Sequence, residues 1–253
     1  MWLIETGRGI ATRFTSLPGY NTDAVWSPDA RTIIFGSGAP RNIYRKDVSG
    51  DTAPHRITTS SNPQWVADWT SDGRFLMYVE LAPETGRDIW ILALTPNGRV
   101  QEGTSPTPYA RTPFAEHSPR FGPERNPRWI AYESNETGRS EVYLERFPVP
   151  GAKRRISTAG GRFPQWGGDI RELFYLAPTN KLMAVTLNFR GDSVEPSTPR
   201  EMFALPPADT ILSPYEVSQD NQRFLVHAGL SQGAPPLTVI VNWPALLKKE
   251  PSQ

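Results

Sequence analysis

Hydrolases and metal enzymes work with histidine, serine and carboxylate side chains, and this chain offers a set of each. The histidines are His55, His117 and His227. No two stand at metal-ligand spacing and each falls in a different segment, so neither a zinc centre nor a Ser-His-Asp triad is read from them. Gly229-Leu230-Ser231-Gln232-Gly233 has the G-x-S-x-G form of a nucleophile elbow. An elbow needs a helix after the serine, because the serine must sit on a strand-to-helix turn. Pro235-Pro236 and an apolar strand follow instead, so the stretch reads as a Gly-rich hairpin turn. The chain has no cysteine, which removes disulfides, thiolate catalysis and cysteine-ligated zinc. The expectation is no catalytic residue, no metal site and no cofactor.

The carboxylates that recur do so at one offset. Asp29, Asp72, Glu124, Asp169 and Asp220 each stand three residues after an apolar anchor, namely Trp26, Trp69, Phe121, Trp166 and Val217. One acid per repeat cannot gather around an ion. An acid in a turn bonds its own backbone instead, and a neighbouring Gly or Asn accepts positive φ, as at Asp72-Gly73 and Asp220-Asn221. The anchors are about 43 to 52 residues apart, near the spacing of four-stranded propeller blades.

Each anchor ends a short strand, and a strongly apolar strand follows its turn: Thr32–Phe35, Phe75–Tyr78, Trp129–Tyr132, Glu172–Tyr175 and Arg223–Val226. A third strand is expected at Asn42–Arg45, Asp88–Leu92, Glu141–Leu144, Leu182–Val185 and Thr238–Val241. Weaker fourth strands follow, as at His55–Thr58 and Arg154–Ser157. Met1–Glu5 and Ala11–Phe14 fit a third and a fourth strand with no first or second before them, so the chain is expected to begin inside a blade. No segment sustains a helical period, and only Pro244–Lys249 suits a turn of helix. Trp26, Trp69, Trp90, Trp129 and Trp166 are expected to fill the core between sheets.

The 27 basic and 26 acidic side chains nearly cancel and form no long block, so nucleic acid and anionic membrane surfaces are not expected partners. No apolar run approaches the roughly 20 residues that span a bilayer, so no membrane insertion is expected. The N-terminus lacks the basic and apolar regions of a signal peptide. Gly and Pro, 20 and 26 in number, are spread along the chain and punctuate turns.

Trp26-Ser27-Pro28-Asp29 and its degenerate copies resemble the TolB-like repeat, a relative of WD40. Arg111–Glu116, Trp129–Arg139, Glu141-Val142-Tyr143, Phe147-Pro148, Ile156–Gly161, Glu172–Tyr175 and Gln222–Leu225 resemble the C-terminal propeller of bacterial transmembrane serine/threonine protein kinases, notably those of acidobacteria. The resemblance runs from Trp2 to about Lys249. It implies an all-β fold, a β-propeller of four-stranded antiparallel blades, of the six-bladed type with its first blade incomplete. Residues 1–249 would form this single propeller: a partial blade at 1–19, blades at 20–62, 63–115, 116–161 and 162–208, and a last blade at 209–243, before a tail at 244–253. It also implies an extracytoplasmic, periplasmic sensor or interaction domain. The kinase motifs and the opening strands are missing, so a fragment or truncated relative is expected, its edge paired by another chain or by a missing N-terminal segment.

The first strand of a blade borders the central channel. The position before each anchor holds Val25, Asp68, Arg120, Gln165 and Glu216. Asp68, Arg120, Gln165 and Glu216, with Glu116, His117 and Arg162, are candidates for a polar funnel that takes a protein, a peptide end or a small molecule at the channel mouth. The plainer alternative is that these residues satisfy one another. A non-catalytic binding or sensor module is the preferred function. A TolB-like periplasmic interaction component and an accessory propeller of a peptidase or hydrolase are the alternatives, and each needs a domain not visible here.

Overall fold

The computed structural model describes residues 1–5, 7–49, 52–206, 213–227 and 237–241. Gly229–Gly233, Pro244–Lys249 and the tail 244–253 lie outside the described residues. The chain divides into two compact units, Met1–Pro119 and Arg120–Gln253.

In the first unit, β1 (Trp2–Glu5) and β2 (Ile10–Arg13) form a two-stranded hairpin. Next, β3 (Thr22–Trp26), β4 (Thr32–Ser37), β5 (Asn42–Asp47) and β6 (His55–Arg56) pair in chain order. So do β7 (Gln64–Trp69), β8 (Phe75–Ala82), β9 (Gly86–Ala93) and β10 (Thr107–Ala110). Strand β11 (Glu116–Phe121) carries the chain into the second unit and opens a sheet with β12 (Trp129–Ser134), β13 (Glu141–Arg146) and β14 (Arg154–Arg155). A five-stranded sheet follows, made of β15 (Arg162–Trp166), β16 (Glu172–Leu176), β17 (Lys181–Arg190), β18 (Ser193–Pro196) and β19 (Arg200–Ala204). The last sheet has β20 (Tyr215–Val217), β21 (Arg223–His227) and β22 (Leu237–Val241). Among the described residues there is no helix.

All six residues of β4 and all six of β12 are buried. A strand buried on both faces sits in a sheet that is packed on both faces, which is why Ile33–Phe35 and Trp129–Tyr132 are unbroken apolar runs. The core clusters accordingly lie between successive sheets. Trp129, Val142 and Leu144 meet Trp166, Leu173 and Val185 in one, and Phe174 and Leu182 meet Tyr215 and Phe224 in another. Each such side chain contributes about 1.5–3 kcal/mol by leaving water. The outermost strands β6 and β14 are two residues long and exposed, as their weak hydrophobicity predicts.

Two expectations fail. The fourth repeat has a long strand, ten residues of β17, whose first half pairs with β19 and whose second half pairs with β18. The cause is visible at Val185, Leu187 and Phe189, which keep a period of two and an apolar face past the expected end. Trp26 is the second, since it is 50% exposed. Trp69 packs on Ile34 and Ile43 of the preceding sheet, and the Trp166 indole donates to the Arg120 carbonyl at 3.2 Å. No residue of β3 is buried, so the Trp26 ring shares the exposure of its whole strand.

The acidic turns are built as their chemistry demands. Thr70 Oγ donates to Asp72 Oδ1 at 2.7 Å, the same oxygen accepts the Arg74 amide at 3.0 Å, and the Phe75 amide donates to Thr70 Oγ at 3.0 Å. Ser27 with Asp29 and Ser218 with Asp220 repeat the pattern. The fourth turn lacks the hydroxyl residue. Gly168 there donates its amide to Asn221 Oδ1 of the next turn at 2.6 Å, and Asn221 Nδ2 donates to Glu172 Oε2 at 3.0 Å. A Cβ on Gly168 would lie 1.6 Å from the Gln219 carbonyl oxygen, so only glycine permits this turn-on-turn contact.

Gly168→Ala is expected to lower stability by about 1–3 kcal/mol through overpacking against backbone, read as a fall in melting temperature. Asp72→Ala is expected to cost about 1–2 kcal/mol at neutral pH. Burial works to raise the Asp72 pKa, but the Thr70 hydroxyl and the Arg74 amide and guanidinium outweigh it and hold the carboxyl below its ordinary value of 3.8. Its stabilising contribution is therefore complete above about pH 4 and fades as pH falls through the depressed value. The gap in melting temperature between wild type and Asp72→Ala should close in that acid range.

Candidate functional site

The first strands of the sheets share a backbone kink. Asp23, Ser118 and Phe163 have φ of 56°, 51° and 53°, and each stands three residues before its anchor. The ladder slips at this place in β3, between Thr22 and Val25, and in β15, between Arg162 and Gln165. Strand β7 slips between Val66 and Asp68 without a left-handed residue. An extra residue puts the side chains before and after it out of phase, so the kink decides where the residue beside the anchor points.

Phe163 is a bulky residue in the left-handed region, a conformation that costs about 1–3 kcal/mol. Two buried partners hold it. Glu133 Oε1 of β12 accepts the Phe163 amide at 2.7 Å, and the Tyr215 hydroxyl of β20 donates to the Phe163 carbonyl at 2.7 Å. Glu133 also accepts from Ser140 Oγ at 3.0 Å and lies 3.6 Å from the half-exposed Arg162 guanidinium. Burial pushes the Tyr215 hydroxyl well above its ordinary pKa, so it stays protonated and keeps donating.

With β15 fixed, Gln165 joins two neighbours. Arg120 Nε of β11 donates to Gln165 Oε1 at 3.2 Å. Gln165 Nε2 donates to Glu216 Oε1 of β20 at 3.2 Å and to Ser213 Oγ at 3.2 Å. Arg120 and Glu216 are themselves 3.5 Å apart. Gln165 is buried, Arg120 is 23% exposed and Glu216 is 57% exposed at their side chains. The result is a guanidinium on β11 and a carboxylate on β20 held beside each other, with the carboxamide of β15 between them. That arrangement presents hydrogen-bond donors and acceptors of both senses within a few ångströms of each other.

Three of the seven sequence candidates are thus brought together: Arg120, Gln165 and Glu216. Arg162 lies one bulge away on the same strand, above Glu133. Asp68 accepts its neighbour's amide, Trp69 N, at 2.8 Å. Glu116 is fully buried and accepts the Thr112 hydroxyl. His117 Nδ1 lies 3.3 Å from Ser118 Oγ. Among the described residues no three His, Asp or Glu stand close enough to hold a metal ion.

Sequence reading missed a second feature, a set of fully buried carboxylates each topped by a half-exposed arginine. Asp88 lies 3.6 Å from Arg111 and accepts from Thr85 Oγ at 2.7 Å. Glu141 accepts Arg139 Nε at 2.7 Å, the Gly160 amide at 3.1 Å and the Ser157 hydroxyl. Glu133 and Arg162 make the third such pair. Burial raises the Asp88 pKa against the pull of Thr85 and Arg111. The signal in the sequence is an acid at the end of an apolar run, as in Trp129–Ser134, or at its start, as in Asp88–Leu92.

Solved structures share this arrangement of sheets. A TolB candidate from Agrobacterium tumefaciens matches with a TM-score of 0.55 and 18% identity, over 74% of this chain and 69% of that one. TolB from Acinetobacter baumannii matches with a TM-score of 0.68 and 13% identity, over 95% of this chain and 56% of that one. The fold is that of a TolB-like β-propeller. An oligogalacturonate lyase solved in complex with manganese shares it, with a TM-score of 0.66 and 13% identity over 96% of this chain and 68% of that one. The chain therefore spans about two thirds or less of the length of these propeller proteins. No protein-family model matches the sequence, and no curated protein matches it.

The propeller strand β15 depends on its two buried partners. Glu133→Ala is expected to cost about 2–3 kcal/mol and Tyr215→Phe about 1 kcal/mol. Because both act on Phe163, their combined effect should differ from the sum, and a double-mutant cycle in urea reads the difference.

Proposed function

We propose that the chain is a non-catalytic binding module that takes a protein or peptide at the Arg120–Gln165–Glu216 cluster. The observation that carries this is the cluster itself, in which an exposed carboxylate and a part-exposed guanidinium are held 3.5 Å apart and joined through Gln165. The hydrogen bonds of Gln165 fix both ends, so little ordering entropy remains to be lost on binding. The likeness to TolB propellers supports protein interaction as the class of function. The kinase-like stretches support a finer reading, the sensor part of a receptor-type serine/threonine kinase on the extracytoplasmic, periplasmic side, in a propeller of the six-bladed type.

The test is a binding screen of the purified protein against peptides with free and blocked termini and against envelope extracts. Peptides with a free terminus should bind. Arg120→Ala and Glu216→Gln should each weaken that binding at least tenfold, about 1.4 kcal/mol. The melting temperature of Glu216→Gln should move by no more than about 3 °C, because the carboxylate is exposed and such an ion pair contributes only about 0–1 kcal/mol, and circular dichroism should show the strands retained in both variants. Turnover of oligogalacturonate to unsaturated products by the same preparation would overturn the non-catalytic reading.

A further inference from the structure

A second surface of the propeller lies on the outer edge of the sheet that begins with β11. Strand β14 ends that sheet, and β13 is its only paired neighbour among the described residues. Arg154 stands opposite Leu144, and Arg155 stands opposite Tyr143. Cross-strand partners share a face, so the two arginines fall on opposite faces of the free edge. Both are exposed, and among the described residues neither makes an ion pair. Lys153 beside them pairs with Glu136 at 2.5 Å and lies 4.5 Å from the Tyr143 ring centroid. Across from β14, Pro196, Ser197, Thr198 and Pro199 form the other wall of an open groove of about 550 Å³, and no acidic side chain lines it.

We propose that this groove binds an acidic peptide segment in extended conformation, laid along β14 as an added strand. A free edge offers backbone hydrogen bonds to any strand, and side-chain pairs beside it select which one. Successive residues of an extended peptide point to opposite faces, so two adjacent acids would meet Arg154 on one face and Arg155 on the other. The same charges repel a second copy of β14. The site is separate from the Arg120–Gln165–Glu216 cluster and does not rest on it.

The experiment is a fluorescence anisotropy titration with labelled hexaglutamate blocked at both termini, with hexaglutamine blocked in the same way and oligogalacturonate as comparators. Hexaglutamate should bind at least tenfold more tightly than hexaglutamine and should weaken as salt is added. Arg154→Glu with Arg155→Glu, and the milder Arg154→Gln with Arg155→Gln, should each lose at least tenfold while circular dichroism shows the strands retained. Arg120→Ala should bind as wild type does. Bound hexaglutamate should slow amide exchange over residues 152–157. Equal binding of hexaglutamine, unchanged binding by both double variants, unchanged amide exchange, or binding of oligogalacturonate in place of the peptide would each overturn the proposal.

Discussion

Phe163 carries the second unit's polar site on its backbone. Its left-handed conformation is unfavourable by itself. It persists because Glu133 from the sheet before it and Tyr215 from the sheet after it hold its amide and its carbonyl. That grip ties three sheets at one residue. It also sets the phase of β15, and through it the direction of Gln165. The cluster of Arg120, Gln165 and Glu216 is therefore a consequence of backbone geometry a few residues away.

Buried charge and apolar packing divide the work between them. The apolar faces between successive sheets supply most of the stabilisation, but they do not fix register, because apolar contact is non-directional. The buried acids do. Glu141 receives a backbone amide, a hydroxyl and a guanidinium, and Glu133 receives an amide and a hydroxyl. An acid so placed would be costly if any partner moved, since an unpaired buried carboxylate is penalised by several kcal/mol. Each is capped by an arginine about half exposed, which keeps part of its hydration while it lies beside the buried charge.

The repeat was legible because its turn chemistry is local. Ser27, Thr70 and Ser218 with the acid two residues on close their turns within a few residues, so their pattern survives in sequence. The apolar strands were legible for the same reason, since a strand packed on both faces needs an unbroken apolar run. Arg120, Gln165 and Glu216 could be picked out by their place beside the anchor. The pinning of Phe163 could not, because Glu133 and Tyr215 lie 30 and 52 residues from it and nothing local marks them as its partners. Nor could the exposure of Trp26, since it holds the same anchor position in the repeat as the buried Trp69 and Trp166.

Gly167 and Gly168 extend the same logic to the turns. Where the first, second and fifth turns close on their own hydroxyl, the fourth borrows Asn221 from the next repeat, and a side chain at Gly168 would collide with the Gln219 backbone. Strands, kinks and turns of adjacent repeats are thus coupled by a few directional contacts at defined points. Between those points the exposed residues are free to vary without disturbing the sheets. A fold so constrained can change the exposed residues of its first and last strands, such as Glu216 on β20 and Arg154 and Arg155 on β14, without disturbing the contacts that hold the sheets.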